Sequence, residues 1–187
     1  MHINEIAPAA PVASTTRALE NADLDRLATA LRLKDQPMEI FREVHAVAER
    51  TIGLRLFTIM SYDAQRLEVQ RVYTNMPDVY PTGGRKQKQG TAWASQVLLD
   101  LKPFRAETPQ GIQDAFDDHA VMIGMGLGSI LNIPIAYDGV CVGTMNLTHR
   151  EGWYTARHEE IGLLVGSFLT AALIKCHTMS ARDFTGR

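Results

Sequence analysis

The sequence predicts an α+β domain, a mostly antiparallel sheet with helices from both ends of the chain packed on one of its faces. Three observations carry that reading. Apolar residues recur at helical spacing over 19–52 and again over about 155–177. Between these stretches the period drops to two, and two strand pairs are joined by the short turns Asp63-Ala64-Gln65 and Asp138-Gly139. The 187 residues suffice for one domain with a core of its own.

Residues 1–18 are small, proline-containing and aperiodic and read as a flexible tail. The domain follows over 19–178, with a short C-terminal tail over 179–187. In a first helix, 19–35, Leu24, Leu27 and Leu31 share one face, with Asp23, Asp25 and Arg26 elsewhere around it. The core, 36–178, begins with a second helix over about 37–52 that opens at Pro37 and closes at Gly53. Its stripe is Ile40, Phe41, Val44, Val47 and Ala48. Residues 54–62 and 66–74 form a hairpin. Residues 75–90 carry two prolines and three glycines and read as a long loop, of the length that usually carries function.

A helix over about 91–101, a short strand near 103–107 and a helical stretch over about 112–124 come next. The clearest hairpin is 129–137 with 140–149. In its second strand Val142, Thr144, Asn146 and Thr148 share a polar face, opposite Cys141, Gly143, Met145 and Leu147. In its first strand Asn132 is a lone polar residue among Ile130, Leu131 and Ile133. The last helix, 155–177, is apolar around much of its circumference through Ile161, Leu164, Val165, Phe168, Leu169 and Ala172. That stripe is wide enough to cover a sheet and touch another helix.

Composition excludes several function classes. The net charge of −2, from 19 Lys+Arg against 21 Asp+Glu, argues against a dedicated nucleic-acid surface. Two cysteines, Cys141 and Cys176, make no disulfide framework and stand at no zinc-ligand spacing. With no signal-peptide pattern at the start, a reducing cytoplasm is the expected compartment. The longest apolar run, 161–174, falls short of the roughly 20 residues a bilayer span needs, so no membrane association is expected.

The segment Arg85-Lys86-Gln87-Lys88 places three cations just ahead of a helix start. Free N–H groups and the helix dipole favour an anion there, and Arg85 is the expected contact. Tyr73, Asn75, Tyr80 and Trp93 bring aromatic and amide groups to the same loop as candidate pocket walls. Arg105 and Glu107 read as an ion pair or as pocket residues. Asp118 and His119, near Asp114 and Asp117, sit on the helix expected to cover the pocket. A carboxylate beside a histidine suits acid–base work, and an acidic run near a helix start equally answers the dipole. Asn132, Asn146 and Thr148 project from paired strands to one face, where a buried amide must find partners. His119 followed by Met122 and Met125 is the one pattern that would suit a haem iron. No cofactor is expected, and no histidine or cysteine spacing suits a structural metal.

The run from Ser129 to Thr148 resembles the strand–turn–strand signature of GAF domains. That signature is a serine, an apolar run and a proline before a D-G turn, then a V-G-x-x-N-L strand, here Val142-Gly143-Thr144-Met145-Asn146-Leu147. Trp153-Tyr154-Thr155, leading to Glu159-Glu160-Ile161 and Leu164, is similar to the family's entry into its last helix. Gly90-Thr91-Ala92 is similar to the glycine that opens its middle helix. The resemblance spans about 36–177. It implies a GAF-like six-stranded antiparallel sheet with the N- and C-terminal helices on one face. On the other face it implies a small-molecule pocket covered by a loop and helices.

Departures from the family's branches narrow the ligand. The cyclic-nucleotide branch carries Asn-Lys…Phe…Asp-Glu where this chain reads Leu147-Thr148-His149-Arg150…Tyr154…His158-Glu159. Cys141 and Cys176 lie in the wrong elements for a covalent bilin, and 53–128, where the methionine-sulfoxide reductases keep their cysteines, has none. The expected function is a stand-alone sensor or regulatory module holding a small anionic or polar metabolite between the sheet face and the 75–90 loop. A small enzyme using Asp118, His119, Glu107 and Arg105 in the same pocket is the alternative, and a haem or redox sensor the third reading. About ten residues follow the last helix, too few for an output domain. A signal is therefore expected to pass through a homodimer formed by the first and last helices, or through a separate output protein.

Overall fold

A computed structural model describes residues 16–185, with side chains to 177; the predicted tail up to residue 15 lies outside the described residues. Two N-terminal helices, α1 (Asn21–Ala30) and α2 (Met38–Thr51), precede the hairpin β1 (Leu56–Asp63) and β2 (Glu68–Thr74). A short strand, β3 (Arg85–Gln87), leads to α3 (Ala92–Ala94), which continues as a π-helical turn over Ser95–Leu99. Then come β4 (Phe104–Ala106), α4 (Pro109–Ala115), α5 (His119–Gly124), the hairpin β5 (Ser129–Tyr137) and β6 (Val140–His149), and helices α6 (Ala156–Ser167) and α7 (Thr170–Thr185). The strands form one six-stranded sheet in the order β3-β2-β1-β6-β5-β4, every neighbouring pair antiparallel.

The α2 stripe is fully buried as its spacing requires: Ile40, Phe41, Val44, Val47 and Ala48 have no exposed surface. They join Ile59 of β1, Leu131 and Ile133 of β5, Met145 and Leu147 of β6, and Val165, Leu169 and Leu173 of the C-terminal helices in one core. The α6 helix lies close on β5 because Gly162 and Gly166 stand one turn apart. A Cβ at either would come within 2.8 Å or 2.7 Å of the Ile133 or Ile135 side chain.

Several predicted elements need correction. The 75–90 loop contains β3, whose backbone pairs with β2 and supplies the sixth strand. The predicted helix over 91–101 is one α-turn, capped by the Thr91 side chain, that widens so that Asp100 N–H reaches the Ser95 carbonyl at 2.9 Å. The 112–124 stretch is two short helices, and the last helix breaks after Ser167 and then runs through 179–185, which composition set apart as tail. In α1, Leu27 is buried and Leu31 is exposed, while Asp23, placed off the apolar face by the pattern, is buried. Burial pushes the Asp23 carboxyl up, yet the Glu20 N–H and the guanidinium groups of Arg17 and Arg50 hold it below the usual range. Arg17, assigned to the tail, is thereby tied to the domain.

Two β-bulges change which face particular side chains reach. Ile59 pairs with Tyr73 and Met60 with Arg71, which leaves Val72 as an extra residue in β2. Ile135 pairs with Gly143 and Ala136 with Cys141, which leaves Val142 as an extra residue in β6. Strict alternation puts Cys141 beside Met145 and Leu147. The bulge instead turns it to the opposite face, among Tyr62, Val69, Trp93 and Val97, while Val142 packs toward the helices.

Candidate functional site

The sheet face away from α2, α6 and α7 carries two small apolar clusters. One gathers Leu56, Tyr80, Ile112, Met122 and Ile130; the other gathers Tyr62, Val69, Trp93, Val97 and Cys141. Between them lies a cavity of about 70 Å³ within a concavity of about 580 Å³ that opens to solvent. It is covered by β3, α3 and the α4–α5 segment.

Its floor is a chain of hydrogen-bonded side chains crossing three strands. Trp93 Nε1 donates to Asn132 Oδ1 at 2.9 Å, Asn132 Nδ2 donates to Asn146 Oδ1 at 2.8 Å, and Asn146 Nδ2 donates to Thr58 Oγ1 at 3.2 Å. The register explains the alignment, since Asn132 and Thr58 are the direct cross-strand partners of Asn146. Each amide uses its oxygen to accept and its nitrogen to donate, so the chain runs in one direction from the indole to the hydroxyl. Thr148 completes the floor and donates to the Leu56 carbonyl at 3.4 Å.

The rim is basic. Arg71, Lys86 and Lys88 line the cavity, against one lining carboxylate, Asp118, which meets Lys86 Nζ at 3.1 Å. Lys88 Nζ lies 4.9 Å from the centre of the Trp93 ring and 5.9 Å from that of Phe116. Burial and then the neighbouring Lys86 hold its pKa below the ordinary lysine range. Burial likewise lowers Arg71, whose guanidinium lies 5.1 Å from the centre of the Tyr80 ring. Two buried polar atoms, Arg71 Nε and the Tyr80 hydroxyl, have no hydrogen-bond partner among the described residues. An oxygen-rich anion would satisfy both and relieve the desolvated cations.

Of the residues singled out from sequence, Tyr80, Trp93, Asp118, Asn132, Asn146 and Thr148 meet at this cavity. Five do not. Tyr73 is carried by the β2 bulge to the helix side, where it lies edge-on to Phe41 and shares a hydrogen bond with His45 at 3.1 Å. Asn75 pins the start of β1, accepting from Phe57 N–H at 2.7 Å and donating to the Arg55 carbonyl at 3.0 Å. Arg85 pairs with Glu68 at 2.7 Å: once 85–87 is a strand, alternation sends Arg85 away and Lys86 inward. Arg105 ties β4 to α6 through Glu159 at 2.6 Å and also pairs with Glu107. His119 Nδ1 is engaged by the Phe116 carbonyl at 2.9 Å. Within the proposed acid–base set only Asp118 faces the cavity.

Sequence reasoning missed Arg71, Thr58, Met60 and Phe116 as lining residues, and noted Lys86 and Lys88 only as neighbours of Arg85. A signal existed for Arg71, a charge inside the strand run Val69-Gln70-Arg71-Val72. None existed for the bulge that separates it from Tyr73. Among the described residues no three His, Cys, Asp or Glu side chains cluster as a metal site. Nor is any single helix there long and apolar enough to cross a membrane. The α6–α7 pair would suffice by length and composition, but it is bent by 56° and its apolar side faces the sheet.

A family model for the GAF domain matches residues 36–173. The fold is similar to the GAF domain of a phosphoenolpyruvate-protein phosphotransferase from Coxiella burnetii, with a TM-score of 0.69 and 14% identity over 86% of this chain and 96% of that one. It is similar to the corresponding Acinetobacter domain, with a TM-score of 0.67 and 11% identity over 87% and 99%. The chromophore-binding domain of a Stigmatella aurantiaca bacteriophytochrome aligns with a TM-score of 0.58 and 11% identity over 82% of this chain and 59% of that one. Comparison with curated protein sequences gives no match.

Proposed function

The chain belongs to the GAF domain family, whose members are generally small-molecule-binding sensory or regulatory modules, and we propose that in this member the cavity binds a small organic anion. One observation carries the reading. Arg71, Lys86 and Lys88 converge on a cavity with a single carboxylate, and the Arg71 Nε and the Tyr80 hydroxyl are buried without a partner among the described residues. A buried, unpaired donor is costly, so a ligand that accepts from it gains affinity there. In a thermal-shift screen of millimolar organic anions, the wild-type protein is expected to be stabilised by at least one, and Lys88→Met to lose the effect. No stabilisation by any anion overturns the reading.

A route for the signal follows from the surface of the terminal helices. Leu27 and Ala172 are spent inside the protomer, but Leu31 and Tyr137 are exposed and border a groove with Phe168 and Ile174. Leu163 and Leu164 of α6 are 44% and 45% exposed. These side chains suit a homodimer through α1, α6 and α7, with a separate output protein as the alternative route. Light scattering at micromolar concentration tests this: a dimer is expected, weakened by Leu164→Lys, and a monomer contradicts it.

A further inference from the structure

The cavity is polarised. Its four charged lining side chains gather toward the β2–β3 edge of the sheet, with Arg71 on β2, Lys86 on β3, Lys88 just beyond it and Asp118 paired to Lys86. Leu56 and Ile130 flank Thr148 in the row on the other side of the Thr58–Asn146–Asn132 row from Met60 and Arg71, and with Met122 they form an uncharged stretch of the lining. The Thr58–Asn146–Asn132 floor lies between. Tyr80 stands at the junction, its ring in the apolar cluster and its hydroxyl without a partner among the described residues. Tyr80 is only 8% exposed, so that hydroxyl is a built, buried donor.

A ligand satisfying this layout carries negative charge at one end only. A diacid or polyphosphate would press its second anionic group against Ile130 and Met122, where no cation answers it. A purely inorganic anion would leave the apolar half uncovered. We propose that the ligand is a single-headed amphipathic carboxylate, lying along the strands over the Thr58–Asn146–Asn132 row. Its carboxylate accepts from Arg71, Lys88 and the Tyr80 hydroxyl, and its aliphatic or aromatic body covers the floor toward Met122. This narrows the anion reading above and rests on it. It also gives Asp118 a role: it is the resident counter-ion of Lys86, competing with the incoming carboxylate, and it is not a partner for a ligand cation.

The test is calorimetric titration of the full chain with matched probes: 3-phenylpropionate, hexanoate, 3-phenylpropionamide, phenylalanine, acetate and inorganic phosphate. At least one of the first two is expected to bind tenfold or more tighter than all the others. In Asp118→Asn that binding is expected to tighten about threefold or more, because the competing carboxylate is gone, with the circular-dichroism spectrum unchanged. Acetate or phosphate binding as tightly overturns the amphipathic class and leaves the anion reading standing. Phenylalanine binding more tightly assigns Asp118 to a ligand cation and overturns the single-headed class, and weaker carboxylate binding in Asp118→Asn overturns the role of Asp118 as a competing counter-ion. The amide binding as tightly, or no probe binding at all, overturns the anion reading itself.

Discussion

The face of the sheet under α2, α6 and α7 is filled by one continuous apolar core. The opposite face of the same strands carries two smaller clusters held apart by the Thr58–Asn146–Asn132 chain and a cavity. Neighbouring residues on one strand serve the two tasks. Met145 is fully buried against the helices, and Asn146 beside it holds the cavity floor. A close-packed face sets stability, and a polar, partly open face leaves room for a ligand; the fold separates the two by side-chain alternation, reset at two β-bulges.

That contrast predicts unequal responses to substitution. Phe41→Ala on the helix side removes a fully buried ring and should cost about 3–5 kcal/mol in chemical denaturation. Asn146→Ala cuts the floor in its middle, stranding Asn132 and Thr58, and should cost about 1–3 kcal/mol while also weakening ligand binding. Lys88→Met keeps the stem over Trp93 but removes the charge; a tenfold loss of carboxylate affinity is expected, about 1.4 kcal/mol, with stability little changed. Equal destabilisation by Phe41→Ala and Lys88→Met would break the contrast.

The pH response should follow the histidines. His149 stacks on Trp153 at 3.7 Å, and burial, with Arg55 and Arg150 nearby, holds its pKa down from 6.5 to about 4. Burial lowers His45 and His158 as well. The unfolded chain therefore takes up protons that the folded chain refuses as pH falls through this interval. Stability is fully present above about pH 6.5 and is lost progressively toward pH 4. Thermal melts across that range should show the decline, and His149→Phe, which keeps the stack, should flatten it. The smallest effect belongs to Arg85→Ala: its partly exposed pair with Glu68 contributes at most about 0.5 kcal/mol, and ligand affinity should not change.

The elements legible in the sequence were those with one dominant period. The α2 stripe, the β5–β6 hairpin with its Asp-Gly turn, and the alignment of Asn132, Asn146 and Thr148 all follow from spacing. Two kinds of feature were not. Tyr73 and Cys141 reach unexpected faces because Val72 and Val142 are bulge residues, and a valine in a strand carries no mark of being unpaired. By composition 85–87 reads as a loop, and in a loop nothing turns Arg85 away in favour of Lys86. Three polar residues form a strand there only because β2 offers its free edge, which is a tertiary fact. Asp23 belongs with these in part, since Arg50, 27 residues further along the chain, joins Arg17 and the Glu20 N–H in holding its buried carboxylate.

Methionine methyl groups report on both faces at once. Met60 and Met122 line the cavity, whereas Met145 is buried against the helices. In the carbon–proton NMR spectrum of methyl-labelled methionine, titration with 3-phenylpropionate should shift Met60 and Met122 and leave Met145 in place, and Lys88→Met should need about tenfold more probe for the same shifts. Movement of Met145 alone, or unperturbed Met60 and Met122 under saturating probe, would contradict a ligand site on this face of the sheet.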